Sequence, residues 1–165
     1  MKPLYLLAAF ASAAVAAIGL VLHMGSDATA APNSAFVLID GSTRTSAELK
    51  GRVTLVNFWA TSCTSCVAEM PQLIATYDKY HGKGFEILGI SLDDNREAFD
   101  KITSSKKMTW RHHFDGKGWK NEIAQLYGVN SIPATYLIGP DGKIAAVGLR
   151  GDALEKHLSK LLTKK

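Results

Sequence analysis

The chain has 165 residues, 47% hydrophobic and 21% charged, with a net charge of +4. That length suits one folded domain with a short appendage. The lysines are scattered with no aromatic-interleaved basic stripe, which excludes a nucleic-acid surface; only two cysteines exclude a disulfide-rich secreted scaffold.

Lys2 is the only charge before a long apolar run, and Leu4 to Leu22 holds no charged residue. As a helix, those nineteen residues are long enough to cross a bilayer core of ~30 Å. Residues 1–24 therefore read as a membrane anchor or a signal peptide. Ala28-Thr29-Ala30 is a fair cleavage site, while the length of the run favours a retained anchor. The charge in front and Asp27 behind orient the N-terminus inward. Both readings place the remainder outside the cytoplasm, where disulfides persist. Residues 25–34, small and polar, read as a linker, and 35–165 as the folded domain.

Phe36 to Ile39 predicts a strand, Asp40-Gly41-Ser42 a turn, and Arg44-Thr45 a returning strand. Ser46 to Leu49 predicts one helical turn. Val53 to Trp59 is a β-branched apolar run, the mark of a buried strand. A helix follows to about Tyr80, with Val67, Met70, Leu73, Ile74 and Tyr77 at helical spacing and Pro71 inside it. Phe85 to Leu92 predicts a second buried strand. Asp93-Asp94-Asn95 caps a helix over Arg96 to Ser105 with Phe99 and Ile102 inward. A short strand at Trp110 to Phe114, a helix at Lys120 to Tyr127, a hairpin of Ala134–Ile138 with Ile144–Val147, and an amphipathic helix from Leu154 to Leu162 complete the chain. This order predicts an α/β fold, a mixed sheet with helices on both faces.

The cysteines, Cys63 and Cys66, sit where the Val53–Trp59 strand gives way to a helix. With Ser62 or its neighbour as cap, Cys63 lies at the helix N-terminus, where free N–H groups and the macrodipole favour a thiolate. Cys66, three residues on, shares its face and is placed to close a disulfide. So small a ring gains little from loop closure and is better suited to cycling than to stapling. In that reading Cys63 attacks and Cys66 resolves. A structural disulfide and half of a zinc site are the alternatives; zinc needs four ligands, and neither a second cysteine pair nor a suitable histidine spacing is present.

With Val56-Asn57-Phe58-Trp59-Ala60-Thr61, Cys63-x-x-Cys66, Glu69-Met70-Pro71, Gly89-Ile90-Ser91, Gly128-Val129, Ile132-Pro133-Ala134-Thr135 and Asp141-Gly142-Lys143 in this order, the chain resembles the thioredoxin superfamily. It is most similar to the membrane-anchored, extracytoplasmic TlpA/ResA-like branch. The resemblance implies a thioredoxin-like domain with an N-terminal β-hairpin. It implies a cis Pro133 facing the cysteines, so that the Ile132 backbone can pair with an extended substrate. Glu69 falls where the family keeps an acid. Beside the thiols it would raise their pKa values and accept a proton from Cys66. Three features depart from the common thioredoxin pattern: Ser62 replaces a bulky residue, Thr64-Ser65 lacks proline, and Asn57 replaces the buried acid of cytoplasmic thioredoxin.

The function implied is a thiol-disulfide oxidoreductase that reduces protein disulfides, with cytochrome c maturation ranked first and copper-oxidase assembly next. Its partners would be protein disulfides and a membrane thiol-disulfide electron donor; no cofactor or metal is implied. The alternatives are a Cu(I)-binding module, with Met70, Met108 and His112-His113 as further soft or imidazole donors, and a peroxiredoxin-like peroxidase. The proline-threonine pattern a peroxiredoxin needs before its cysteine is missing here, and core packing for the methionines with a half-exposed strand for the histidines is the plainer expectation.

Overall fold

The computed structural model describes residues 30–163. In chain order the elements are β1 (Ala35–Val37), β2 (Thr43–Thr45), β3 (Val53–Trp59), α1 (Thr64–Tyr80), β4 (Phe85–Ser91), α2 (Arg96–Ser105), β5 (Arg111–His113), α3 (Glu122–Leu126), β6 (Ala134–Ile138), β7 (Ile144–Val147) and α4 (Gly151–Leu162). The apolar run at residues 4–22, and with it the expected N-terminal helix, lies outside the described residues. Among the described residues no helix is long and apolar enough to cross a membrane.

The main sheet has five strands in the order β5-β4-β3-β6-β7. β3 pairs parallel with β4 and antiparallel with β6, so the sheet is mixed. β3 is central and buried along its whole length, which is why its sequence reads as one apolar run rather than an alternation. Its side chains nevertheless part by period two. Val53, Leu55 and Trp59 enter the core shared with Met70 and Tyr77 of α1, Phe99 of α2, and Leu154 and Leu158 of α4. Val56 and Phe58 enter the opposite core with Phe36, Leu38, Leu49 and the α3 residues Ile123 and Ala124. Each such side chain, fully buried, contributes ~1.5–3 kcal/mol.

β1 and β2 form an antiparallel pair with Phe36 opposite Arg44. The hairpin lies along the outer edge of β5: Leu38 bridges His113, and the Ile39 N–H donates to the His112 carbonyl at 3.0 Å. Earlier in the chain, Ala30 bridges Lys143 in the β6–β7 turn.

Several sequence expectations shift. The helix expected from Lys120 is a short 3-10 turn at Gly118–Lys120, then α3, whose cap is the buried Asn121. The last helix begins at Gly151, three residues before the first apolar position that announced it. On α1 the buried face runs through Cys66, Met70, Thr76, Tyr77 and Tyr80, while Val67 is only half-buried. The histidines expected on a half-exposed strand are both buried, His112 at 1% exposure. Gly89 explains how His112 fits. A Cβ there would lie 2.7 Å from His112 Nδ1, so only glycine admits the ring across β4.

Candidate active site

β3 ends at the buried Trp59, and the chain turns through Ala60–Ser62 into α1. Cys63 is itself the N-cap, in an extended conformation (φ −84°, ψ 99°), and its Sγ accepts the Cys66 N–H at 3.2 Å. A free helix N–H therefore points at the first sulfur, the contact that stabilises a thiolate there. Cys63 and Cys66 are joined by a disulfide with Cα atoms 5.2 Å apart. The two sulfurs are not equivalent: Cys63 is half-buried, and Cys66 is 1% exposed.

The turn that presents Cys63 is held by Asp93. Its carboxylate accepts the Thr61 N–H at 2.9 Å, the Thr61 hydroxyl at 2.6 Å and the Ser91 hydroxyl at 2.7 Å. Sequence reasoning assigned Asp93 to a helix cap with Asp94 and Asn95. The cap is Asn95 alone, whose side chain accepts the Ala98 N–H at 2.9 Å. Asp93 is instead buried at the end of β4, tying the redox turn to the neighbouring strand.

Opposite the cysteines, the Ile132–Pro133 peptide bond is cis. Ile132 and Cys63 both pack where the two cores meet. Behind Cys66 lies a small cavity of about 30 Å³, lined among others by Asn57, Cys66, Glu69, Pro133, Thr135 and Arg150. That is room for a water molecule or two. Asn57 is 3% exposed and its amide nitrogen has no hydrogen-bond acceptor among the described residues.

The structure brings Cys63, Cys66, Glu69 and Pro133 around one site. Glu69 is one helical turn beyond Cys66, with its side chain 38% exposed. It is not a lone acid: Arg150 Nη1 lies 3.3 Å from Glu69 Oε1. The same guanidinium donates through Nη2 to the Pro133 carbonyl at 2.5 Å. Sequence reasoning missed Arg150 because an arginine in a Gly-Leu-Arg-Gly turn, far along the chain, carries no local signal. His112 and His113 lie on β5, with His113 Nδ1 at 2.7 Å from the Val37 carbonyl. Met70 and Met108 are core residues. Among the described residues no three His, Cys, Asp or Glu side chains converge on a metal site.

Residues 28–147 match the AhpC/TSA family. The chain belongs to that family. It is 36% identical over 124 residues to the thiol-disulfide oxidoreductase ResA of Oceanobacillus iheyensis, covering 73% of this chain and 63% of that protein. It is 31% identical over 134 residues to the ResA protein of Bacillus thuringiensis, covering 81% of this chain and 75% of the relative. The fold superposes on the thioredoxin domain of a thiol-disulfide oxidoreductase from Bacteroides vulgatus with a TM-score of 0.75 at 31% identity, covering 82% of this chain and 97% of that domain. Within the AhpC/TSA family the chain thus groups with the relatives named ResA, and it spans 63% of the length of the Oceanobacillus protein.

Proposed function

We propose that this chain reduces disulfides of protein substrates outside the cytoplasm, cycling Cys63 and Cys66 between dithiol and disulfide. The observation that carries the reading is the asymmetry of the pair: Cys63 half-buried at the helix N-terminus, Cys66 buried one turn deeper. In the reduced protein, the Cys63 thiolate attacks a substrate disulfide. One substrate sulfur leaves with the electron pair, and a mixed disulfide forms. Cys66 then loses its proton and attacks Cys63 Sγ. The Cys63–Cys66 bond forms, the bond to the substrate breaks, and the second substrate sulfur leaves as a thiolate that takes a proton from water. Two electrons pass to the substrate, and a membrane thiol-disulfide donor restores the dithiol.

Glu69 receives the Cys66 proton in this scheme, and its place beside Cys66 on the cavity supports that role. Ile132 offers backbone hydrogen bonds to an extended substrate across the groove. Residues 1–24 hold or export the domain and 25–34 link it. Apocytochrome c, before haem attachment, is the substrate ranked first.

The test is reduction of an insulin or peptide disulfide by the pre-reduced protein, alongside the reduction potential of the pair. Reduction lost in Cys63→Ser and a strongly negative potential are the expected results. A high potential would make the protein an oxidant. Tight Cu(I) binding without disulfide reduction would replace the reading with the metal module, and turnover of hydroperoxide with the peroxidase.

A further inference from the structure

We infer that Arg150 is a positioning residue of the redox site: one guanidinium balances charge beside Cys66 and fixes the backbone at Pro133. This rests on the exchange reading above. The side chain comes from the turn between β7 and α4, where Arg150 is extended (φ −145°, ψ 159°) and Gly151 is left-handed at φ +51°. A side chain at 151 would be strained there and would meet the Gln72 amide at 3.1 Å. The turn, and with it the direction of Arg150, is therefore set by glycine.

Nη2 donates to the Pro133 carbonyl at 2.5 Å, and Nη1 lies 3.3 Å from Glu69 Oε1. These partners come from opposite sides of the site, one from α1 and one from the loop before β6, and both line the cavity behind Cys66. A planar guanidinium spans two such acceptors in fixed geometry, whereas an ammonium is a single point of charge. Each contact has a consequence for exchange. A Glu69 carboxylate repels a thiolate forming on Cys66, and the Arg150 cation offsets that repulsion. A held Pro133 carbonyl keeps the adjacent Ile132 backbone in register for an incoming peptide. The Arg150 side chain is 44% exposed, so its ion pair adds little to stability, and its effects belong to the site.

The experiment compares wild type, Arg150→Gln, Arg150→Lys and the double variant Arg150→Gln with Glu69→Gln, all reduced. Thiolate absorbance is read against pH. Arg150→Gln should move thiolate formation upward by about half a pH unit, roughly a threefold loss of thiolate below the midpoint. Arg150→Lys and the double variant should return toward wild type, because both restore the charge balance. Exchange with a disulfide peptide is then read above every midpoint. There Arg150→Lys should be about threefold slower than wild type or worse, since lysine cannot hold both partners. An Arg150→Gln curve that superimposes on wild type overturns the charge role, as does a double variant no closer to wild type than the single. An Arg150→Lys exchange rate equal to wild type overturns the Pro133 role. Wild-type protein that reduces no disulfide overturns the exchange reading instead, whatever the titration shows.

Discussion

A thiolate can attack an external partner only where that partner can reach it in line, and burial decides that before pKa does. Cys63 meets this condition, and Cys66, 1% exposed, does not. Limiting iodoacetamide on the reduced protein should therefore label Cys63 first; peptide mapping checks it, and preferential Cys66 labelling would reverse the roles. Glu69→Gln removes a negative charge beside the pair and leaves Arg150 uncompensated, so thiolate absorbance should rise at lower pH than in wild type. Superimposable curves would make Glu69 a solvated helix residue. The Cys63–Cys66 pair and Glu69 were legible in the sequence because spacing along one helix is local. Arg150 and Asp93 were not, because each acts across the fold on a residue distant in the chain: Asp93 on Thr61, Arg150 on Glu69 and Pro133.

At the scale of elements, the turn between β3 and α1 depends on the end of β4. Asp93→Ala would leave the Thr61 N–H and hydroxyl without their acceptor, at a cost of ~1–3 kcal/mol. Urea unfolding should show that loss, with slower exchange from a loosened Cys63. Wild-type stability would mean water replaces the carboxylate. Neighbouring parallel strands impose a second demand: Gly89→Ala puts a methyl group against the His112 ring and should cost ~1–3 kcal/mol by overpacking. The strands were the most legible elements, since β3 and β4 are continuous apolar runs bounded by turn residues. Helix starts were less so. α4 opens on Gly151 and Asp152, which carry no apolar periodicity, and α3 opens on a buried asparagine cap that reads like any polar loop residue.

For the whole molecule, acid should be the weak side. Burial lowers the His112 pKa from 6.5 to about 4, with the Met108 backbone pulling weakly the other way. The ring is packed among Trp59, Phe99 and Trp110, and among the described residues its nitrogens find no hydrogen bond of full geometry, the Met108 backbone being only a weak partner. The folded protein keeps this ring neutral, while the unfolded chain protonates it below 6.5. The resulting stability is complete above that pH and falls away toward pH of about 4, by roughly 3 kcal/mol for this one group. Urea unfolding at about pH 7 and about pH 4.5 checks this. His112→Phe, which removes two unsatisfied nitrogens and keeps an aromatic ring, should flatten the slope. An equally steep slope in the variant would assign the acid sensitivity elsewhere.

Ala30 meets Lys143 in the β6–β7 turn, and that turn lies at the pole of the sheet where β3 begins, because Thr54 pairs with Ile138. Cys63 follows the other end of β3, ~20 Å away at ~3.3 Å per residue. The described chain thus enters the domain at its base, with the sulfur pair at the far tip, and the anchor proposed for residues 1–24 would hold it by that base. A partner approaching from open solvent meets the redox end first. Under that proposal, a donor in the same membrane would reach the sulfur pair only with the domain turned toward it. Shortening residues 25–29 should therefore slow recharging by such a donor while leaving reduction of a soluble peptide unchanged, and equal slowing of both would show that this segment plays no such part.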